Sequence, residues 1–249
     1  MNTSAYKSIT RIAMWSGPRN ISTALMRAWE NRADTFVTDE PFYAYYLTNT
    51  DVDHPGRADI IRTQPTQWQE VAHRCTTGTA TTETIHYQKH MTQHMLPTIK
   101  MDWLEKLVNI FLIRSPQAVA SSYAKARPDL TASDLGFEQQ HRLYQHVLNH
   151  VDSNPLVINS DDVRNHPEQA LSAMCRKAGI AFDQAMLTWR KGRRESDGIW
   201  APHWYKNVED STGFQPTTAT PIELDETQTK IADLCQPYYD EMLSRCQKF

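Results

Sequence analysis

The chain has 249 residues, 40% hydrophobic and 22% charged, with a formal net charge of −3. That length buries a large core and suits a single α/β domain over residues 1–249. The composition excludes a basic excess of the kind that binds nucleic acid, an apolar stretch of membrane-spanning length, and an export signal within Met1 to Arg11.

The four cysteines (Cys75, Cys175, Cys235, Cys246) lie far apart with no C-x-x-C pair, the pattern of reduced thiols in a cytoplasmic protein. The elements predicted along the chain alternate. An apolar strand, Arg11 to Trp15, precedes a polar loop and a helix from Ile21 to Asn31. Strand two runs Thr35 to Asp39 and closes on Glu40-Pro41. A short helix, Phe42 to Leu47, leads into a polar stretch, Asp51 to Pro65, with little periodicity. A helix follows at Gln67 to Cys75, then strand three at Thr84 to Lys89. Leu107 to Arg114 is a continuous apolar run, as expected of a strand buried on both faces. Ser115-Pro116 opens a helix with an N-cap and a first-turn proline. A long amphipathic helix spans Leu135 to Val151, strand five Pro155 to Asn159, and a helix Pro167 to Ala178, stopped by Gly179. Trp189 to Phe214, rich in Arg, Gly, Trp and His, reads as a functional loop, and Glu226 to Cys246 as the last helix.

Strands alternating with helices predict a parallel central sheet covered on both faces, with ligands at the carboxyl ends of the strands. The first such end reads Ser16-Gly17-Pro18-Arg19-Asn20-Ile21-Ser22-Thr23. A strand, a tight loop and a helix start make an anion cradle, because loop N–H groups and the helix dipole converge there. The run departs from G-x-x-x-x-G-K-[ST]: Ser22 takes the second glycine position and no lysine precedes Thr23, which argues against an ATP tail. At the end of strand four, Arg114 and Ser122 on the following helix offer a second anion site. Two anion sites in one cleft suggest a ligand with phosphates at both ends.

Pro18-Arg19-Asn20-Ile21-Ser22-Thr23 resembles the 5′-phosphosulfate loop of sulfotransferases that use 3′-phosphoadenosine 5′-phosphosulfate (PAPS), commonly P-K-S-G-T-T. Ile21 replaces that loop's glycine, which predicts a backbone there that avoids positive φ. Arg114 and Ser122, eight residues apart, match the spacing of their 3′-phosphate motif. The resemblance covers roughly the first half of the chain. The segments W-S-G-P-R-N-I-S-T-A-L, D-E-P and W-A-P-H-W-Y are similar to a bacterial group of sulfotransferase-like proteins. It implies a P-loop nucleotide-kinase-like sulfotransferase fold, PAPS as co-substrate held by residues 17–23, Arg114 and Ser122, no required metal, and a small-molecule acceptor that takes the sulfuryl group on a hydroxyl or an amine. Arg190-Lys191-Gly192 copies in letters the family's later R-K-G stretch on the 3′-phosphate; a basic surface turn is the alternative. The resemblance gives Arg19 the leaving phosphate, Glu40 or His90 the role of general base, and Lys89 the transferred sulfonate. The base is Glu40 by analogy with heparan-type enzymes, or His90 by analogy with cytosolic ones; Glu40 as a simple helix cap is the other reading. Two rival functions stay open: a kinase-like phosphotransferase with ATP and Mg²⁺ on Asp39, and a catalytically inactive nucleotide-binding module. The acceptor and the oligomeric state are not legible.

Overall fold

The computed structural model describes residues 9–77, 82–218 and 221–249; of Met1 to Arg11, residues 1–8 lie outside the described residues. Its centre is a parallel sheet of five strands, β1 (Thr10–Ser16), β2 (Thr35–Asp39), β3 (Ile85–Met91), β4 (Val108–Ile113) and β5 (Leu156–Asn159), in the order β2-β3-β1-β4-β5. Parallel neighbours need crossovers, and helices supply them. They are α1 (Ser22–Glu30), α2 (Tyr43–Thr48), α3 (Arg57–Thr63), α4 (Trp68–Thr77), α5 (Pro116–Ala124), α6 (Ala132–Leu135), α7 (Phe137–His150), α8 (Ser160–Asn165) and α9 (Pro167–Lys177). Two short helices, α10 (Ala201–Trp204) and α11 (Lys206–Glu209), and the long α12 (Glu226–Ser244) complete the chain.

The pleat sends alternate residues to opposite faces, so each strand feeds two cores. Ala13, Trp15, Phe111, Ile113 and Val157 pack under α5, α7 and α12. Ile12, Met14, Tyr87, Ile110, Leu112 and Ile158 pack under α1, α2 and α9. The stretch Asp51 to Pro65 holds α3, invisible to periodicity because Ile60 is its one fully covered apolar residue. The helix expected over Leu135 to Val151 is broken at Gly136, which has φ 72°. A Cβ there would sit 2.6 Å from Thr92 Oγ1 and 2.9 Å from the Gln93 nitrogen, so the chain must turn at a glycine.

Candidate active site

The carboxyl ends of β1 to β5 surround a cavity of about 450 Å³. The β1–α1 loop forms one wall. Gly17 lies so close to the Leu135 carbonyl that a Cβ would stand 2.8 Å from its oxygen. Asn20 reaches back and donates from Nδ2 to the Leu112 carbonyl at 2.8 Å. Gln140 donates to the carbonyls of Trp15 and Leu112, both at 2.9 Å, pinning the same corner. Pro18 to Ala24 all line the cavity. No side chain caps α1, which leaves its first N–H groups available to a ligand.

The loop backbone corrects one expectation. Arg19 and Ile21 both have positive φ, 55° and 50°. Ile21 therefore takes the left-handed region that a β-branched residue pays most to enter. The turn into α1 demands that conformation, and Asn20 and the packing of Ile21 against the α1-side core hold it there.

Cations gather on the loop side. Arg19 Nε donates to Ser122 Oγ at 3.1 Å, and Arg114 Nη1 donates to the Arg19 carbonyl. Arg19, Arg114, Ser122 and Arg164 line the one cavity, so the residues read from the sequence as two anion sites come together there. Burial pulls the guanidinium of Arg114 below its ordinary value, and Arg164 and Arg19 add to this as like charges while Asp161 opposes it. Burial also lowers Arg19. Arg164, on α8 just past β5, is a lining residue that the sequence reading missed; its signal was its place after a strand's carboxyl end.

The opposite wall carries carboxylates. Glu40 follows β2 with φ 43°, its N–H donating to the Lys89 carbonyl at 2.9 Å. Lys89 Nζ donates to Asp39 Oδ1 at 2.9 Å, to the Tyr205 hydroxyl at 2.7 Å and to Glu40 Oε1. The Tyr205 hydroxyl also accepts from Trp200 Nε1 and donates to Asp39. Gly198 closes the network, its N–H donating to Asp39 Oδ2 at 3.1 Å. Burial would pull Lys89 down, but Asp39 and Glu40 together outweigh it and hold the ammonium above its ordinary value. For Glu40, burial pushes the carboxyl up, Lys89 opposes and Asp39 reinforces, and the net direction is upward. Glu40 and Lys89 line the cavity, whereas Asp39 does not.

Two sequence expectations fall elsewhere. Strand three runs on to Met91, so Lys89 and His90 point to opposite faces. His90 lies opposite Trp15 and stacks on it with ring centroids 4.2 Å apart; Phe42 and Trp103 adjoin it in the core. It is 1% exposed and absent from the cavity wall. Burial pulls the imidazole down to about 3. His90 therefore sits on the face of the sheet away from Lys89 and off the cavity wall, not placed to take a proton from an acceptor in the cavity. Arg190 and Lys191 are exposed, and the Gly192 N–H donates to the Glu209 carbonyl at 2.8 Å in a turn with φ 99°. Arg190 lines a separate cleft with Arg27, Glu30, Asn31 and Arg194. That turn keeps Arg190-Lys191-Gly192 off the cavity. The rest of Trp189 to Phe214 does reach it, through Trp204, Tyr205, Asn207, Val208, Ser211, Gly213 and Phe214.

A family profile described as a sulfotransferase domain matches residues 10–246. The chain belongs to the sulfotransferase domain family. Its fold is that family's P-loop-like α/β fold. The sulfotransferase domain from the curacin biosynthetic pathway aligns with a TM-score of 0.54 and 16% identity, over 92% of this chain and 98% of that one. A mouse sulfotransferase solved in complex with PAP aligns with a TM-score of 0.53 and 13% identity, over 95% of this chain and 88% of that one. Among curated proteins, branched-chain-amino-acid aminotransferase-like protein 1 of Arabidopsis thaliana is 30% identical over 233 residues. That match takes in 94% of this chain, and the chain spans 41% of the plant protein's length. No helix among the described residues is long and apolar enough to cross a membrane.

Proposed function

We propose that this sulfotransferase-family protein moves a sulfuryl group from PAPS to a hydroxyl of a small molecule. One observation carries the reading: the β1–α1 loop, Arg114, Ser122 and Glu40 line a single cavity. The nucleotide's 5′-phosphosulfate fits the N–H groups of residues 20–24 and the Ser22 and Thr23 hydroxyls. Its 3′-phosphate fits Arg114 and Ser122, with Arg164 adding charge nearby. Arg19, already bonded to Ser122, stands between the two ends.

In the reaction the acceptor oxygen forms a bond to sulfur as the bond from sulfur to the bridging phosphate oxygen breaks. Negative charge grows on that bridging oxygen, and Arg19 with the loop N–H groups stabilises it. The acceptor proton passes to Glu40, whose raised pKa makes it a stronger base than an ordinary carboxylate. Lys89 orients Glu40 and holds positive charge beside the transferred sulfonate.

The kinase-like alternative needs Asp39 on a metal. Both its oxygens are already engaged, by Lys89, Tyr205 and the Gly198 N–H, and Asp39 is off the cavity wall. Calorimetric titration separates the readings. We expect PAP to bind without added metal and far more tightly than ATP with Mg²⁺; the reverse order overturns the proposal. An inactive module is recognised by PAP binding with no release of PAP from PAPS on any acceptor panel.

A further inference from the structure

Neighbouring residues of a regular strand point to opposite faces, so Asp39 and Glu40 could not both reach one ammonium from such a strand. Here β2 ends at Asp39, and φ 43° at Glu40 breaks the alternation. The parallel register sets Asp39 beside Lys89. One buried cation therefore serves two adjacent carboxylates, Asp39 and Glu40. What one carboxylate draws from the shared ammonium, the other loses.

Asp39 has further donors. The Tyr205 hydroxyl lies 2.8 Å from Oδ1 and 2.6 Å from Oδ2, and the Gly198 N–H reaches Oδ2. The Tyr205 oxygen itself accepts from Lys89 at 2.7 Å and from Trp200 Nε1 at 3.1 Å. Those two donors fill its lone pairs and leave its one proton for Asp39. Its distance to Glu40 Oε1, 3.4 Å, is beyond the range of a good O–H···O bond. A carboxylate already stabilised by a hydroxyl and an N–H draws less on the cation it shares. From the other elements packed here, Tyr43 on α2 faces Glu40, and His94, just past β3, faces Lys89. Burial raises the Tyr43 hydroxyl and lowers the His94 ring, so neither adds a charge to the trio at neutral pH.

We propose that Asp39 and Tyr205 are positioning residues of the sulfotransfer site: Asp39 draws the Lys89 ammonium away from the Glu40 carboxylate, and Tyr205, by donating to Asp39, weakens that pull. The two act in opposite directions on one proton acceptor, and neither needs to touch the acceptor molecule. The inference rests on the sulfotransfer reading above.

The test follows the Glu40 carboxyl itself, by carbon-13 NMR of the full chain labelled at glutamate Cδ, with the signal assigned by its absence in Glu40→Gln. Asp39→Asn removes a like charge and leaves the ammonium to Glu40, so the titration midpoint should fall by at least about one pH unit. Tyr205→Phe keeps the ring and lets Asp39 take more of the ammonium, so the midpoint should rise by at least about half a pH unit. In the double variant the tyrosine has no carboxylate to act through, and the midpoint should stay within about 0.3 pH unit of that in Asp39→Asn. A residue that only supports the fold would lower unfolding stability without opposed shifts. Shifts in one direction, no shift, or a Tyr205→Phe effect that survives in the double variant overturns the inference. Should one single variant fail to fold, the shift in the other decides alone. Failure of PAP to bind the native chain in calorimetry overturns the nucleotide reading instead, and the Glu40 titrations still decide this one.

Discussion

The two sides of the cavity handle charge in opposite ways. On the loop side Arg19, Arg114 and Arg164 have no carboxylate within ion-pairing distance among the described residues; they lean on a hydroxyl and on backbone carbonyls. On the other side Lys89 is paired twice and hydrogen-bonded a third time, and Asp39 is saturated. Unpaired cations are costly to hold, and an arriving polyanion repays that cost. A closed network costs little at rest and presents one carboxylate to the cavity, Glu40. On the proposed reading the contrast separates binding from proton transfer, and substitutions at each side should divide the same way.

The largest effect is expected at Glu40. Glu40→Gln keeps size and leaves Lys89 paired with Asp39, but removes the proton acceptor. Release of PAP from PAPS in the presence of an acceptor should fall by roughly 10²–10⁴-fold, with PAP affinity within about twofold of native. A variant that loses affinity and keeps turnover would erase the division between the sides. The same carboxylate sets the pH profile. Because its pKa is raised in the folded protein, turnover should climb as pH rises through that value, later than an ordinary carboxylate would give. Next comes Arg114→Ala, on the binding side. PAP affinity should fall by roughly 100-fold, while adenosine 5′-phosphosulfate, which lacks the 3′-phosphate, should change by less than about threefold. Equal losses for the two ligands would mean that Arg114 acts only by holding the Arg19 carbonyl.

A smaller effect is expected beneath the sheet, where His90 serves the core. Its folded value of about 3 lies below the ordinary histidine value. The unfolded chain therefore takes up a proton first as pH falls, so stability is complete above about pH 6.5 and drains away between there and 3. At pH 5 this ring alone removes about 2 kcal/mol. His86 and His54, each pulled down to about 4, act in the same direction. Urea unfolding at pH 7.5 and 5 measures the loss, and His90→Phe should shrink it while leaving PAP binding intact. A His90→Phe protein with native pH dependence but no turnover would restore His90 to the chemistry.

These sites differ in how far the sequence reveals them. The β1 loop and the β4–α5 turn are local: apolar strand, punctuating Gly or Pro, helix start, all within a dozen positions, so Arg19, Ser22, Arg114 and Ser122 can be read directly. Glu40 and Lys89 are local in placement, but their pairing depends on the parallel register that sets Asp39 beside Lys89. His90 turns on two further residues of strand, because the period of two reverses a side chain's face with each step. Arg164, past the end of β5, belongs to no motif that marks it in the sequence. Tyr205 comes from a distant segment with no shared pattern. Its role exists only after packing.

The smallest effect tests how the loop side is held open. Ile21 at φ 50° spends on the order of 1–2 kcal/mol in backbone strain. Ile21→Gly relieves it, but adds freedom to the unfolded chain worth roughly 0.5–1 kcal/mol and removes the side chain from the α1-side core. These terms oppose one another, so unfolding stability should stay within about 1 kcal/mol of native. Binding should not cancel in the same way. Without the isoleucine's packing the loop samples other turns, and its N–H groups no longer converge in advance on an anion. PAP affinity should then drop by roughly three- to tenfold, a preorganisation cost, while the Glu40 side, with its own closed network, keeps its pH profile. Native affinity in Ile21→Gly would show that the strained turn forms without the side chain, and that Asn20 and Gln140 suffice to hold it.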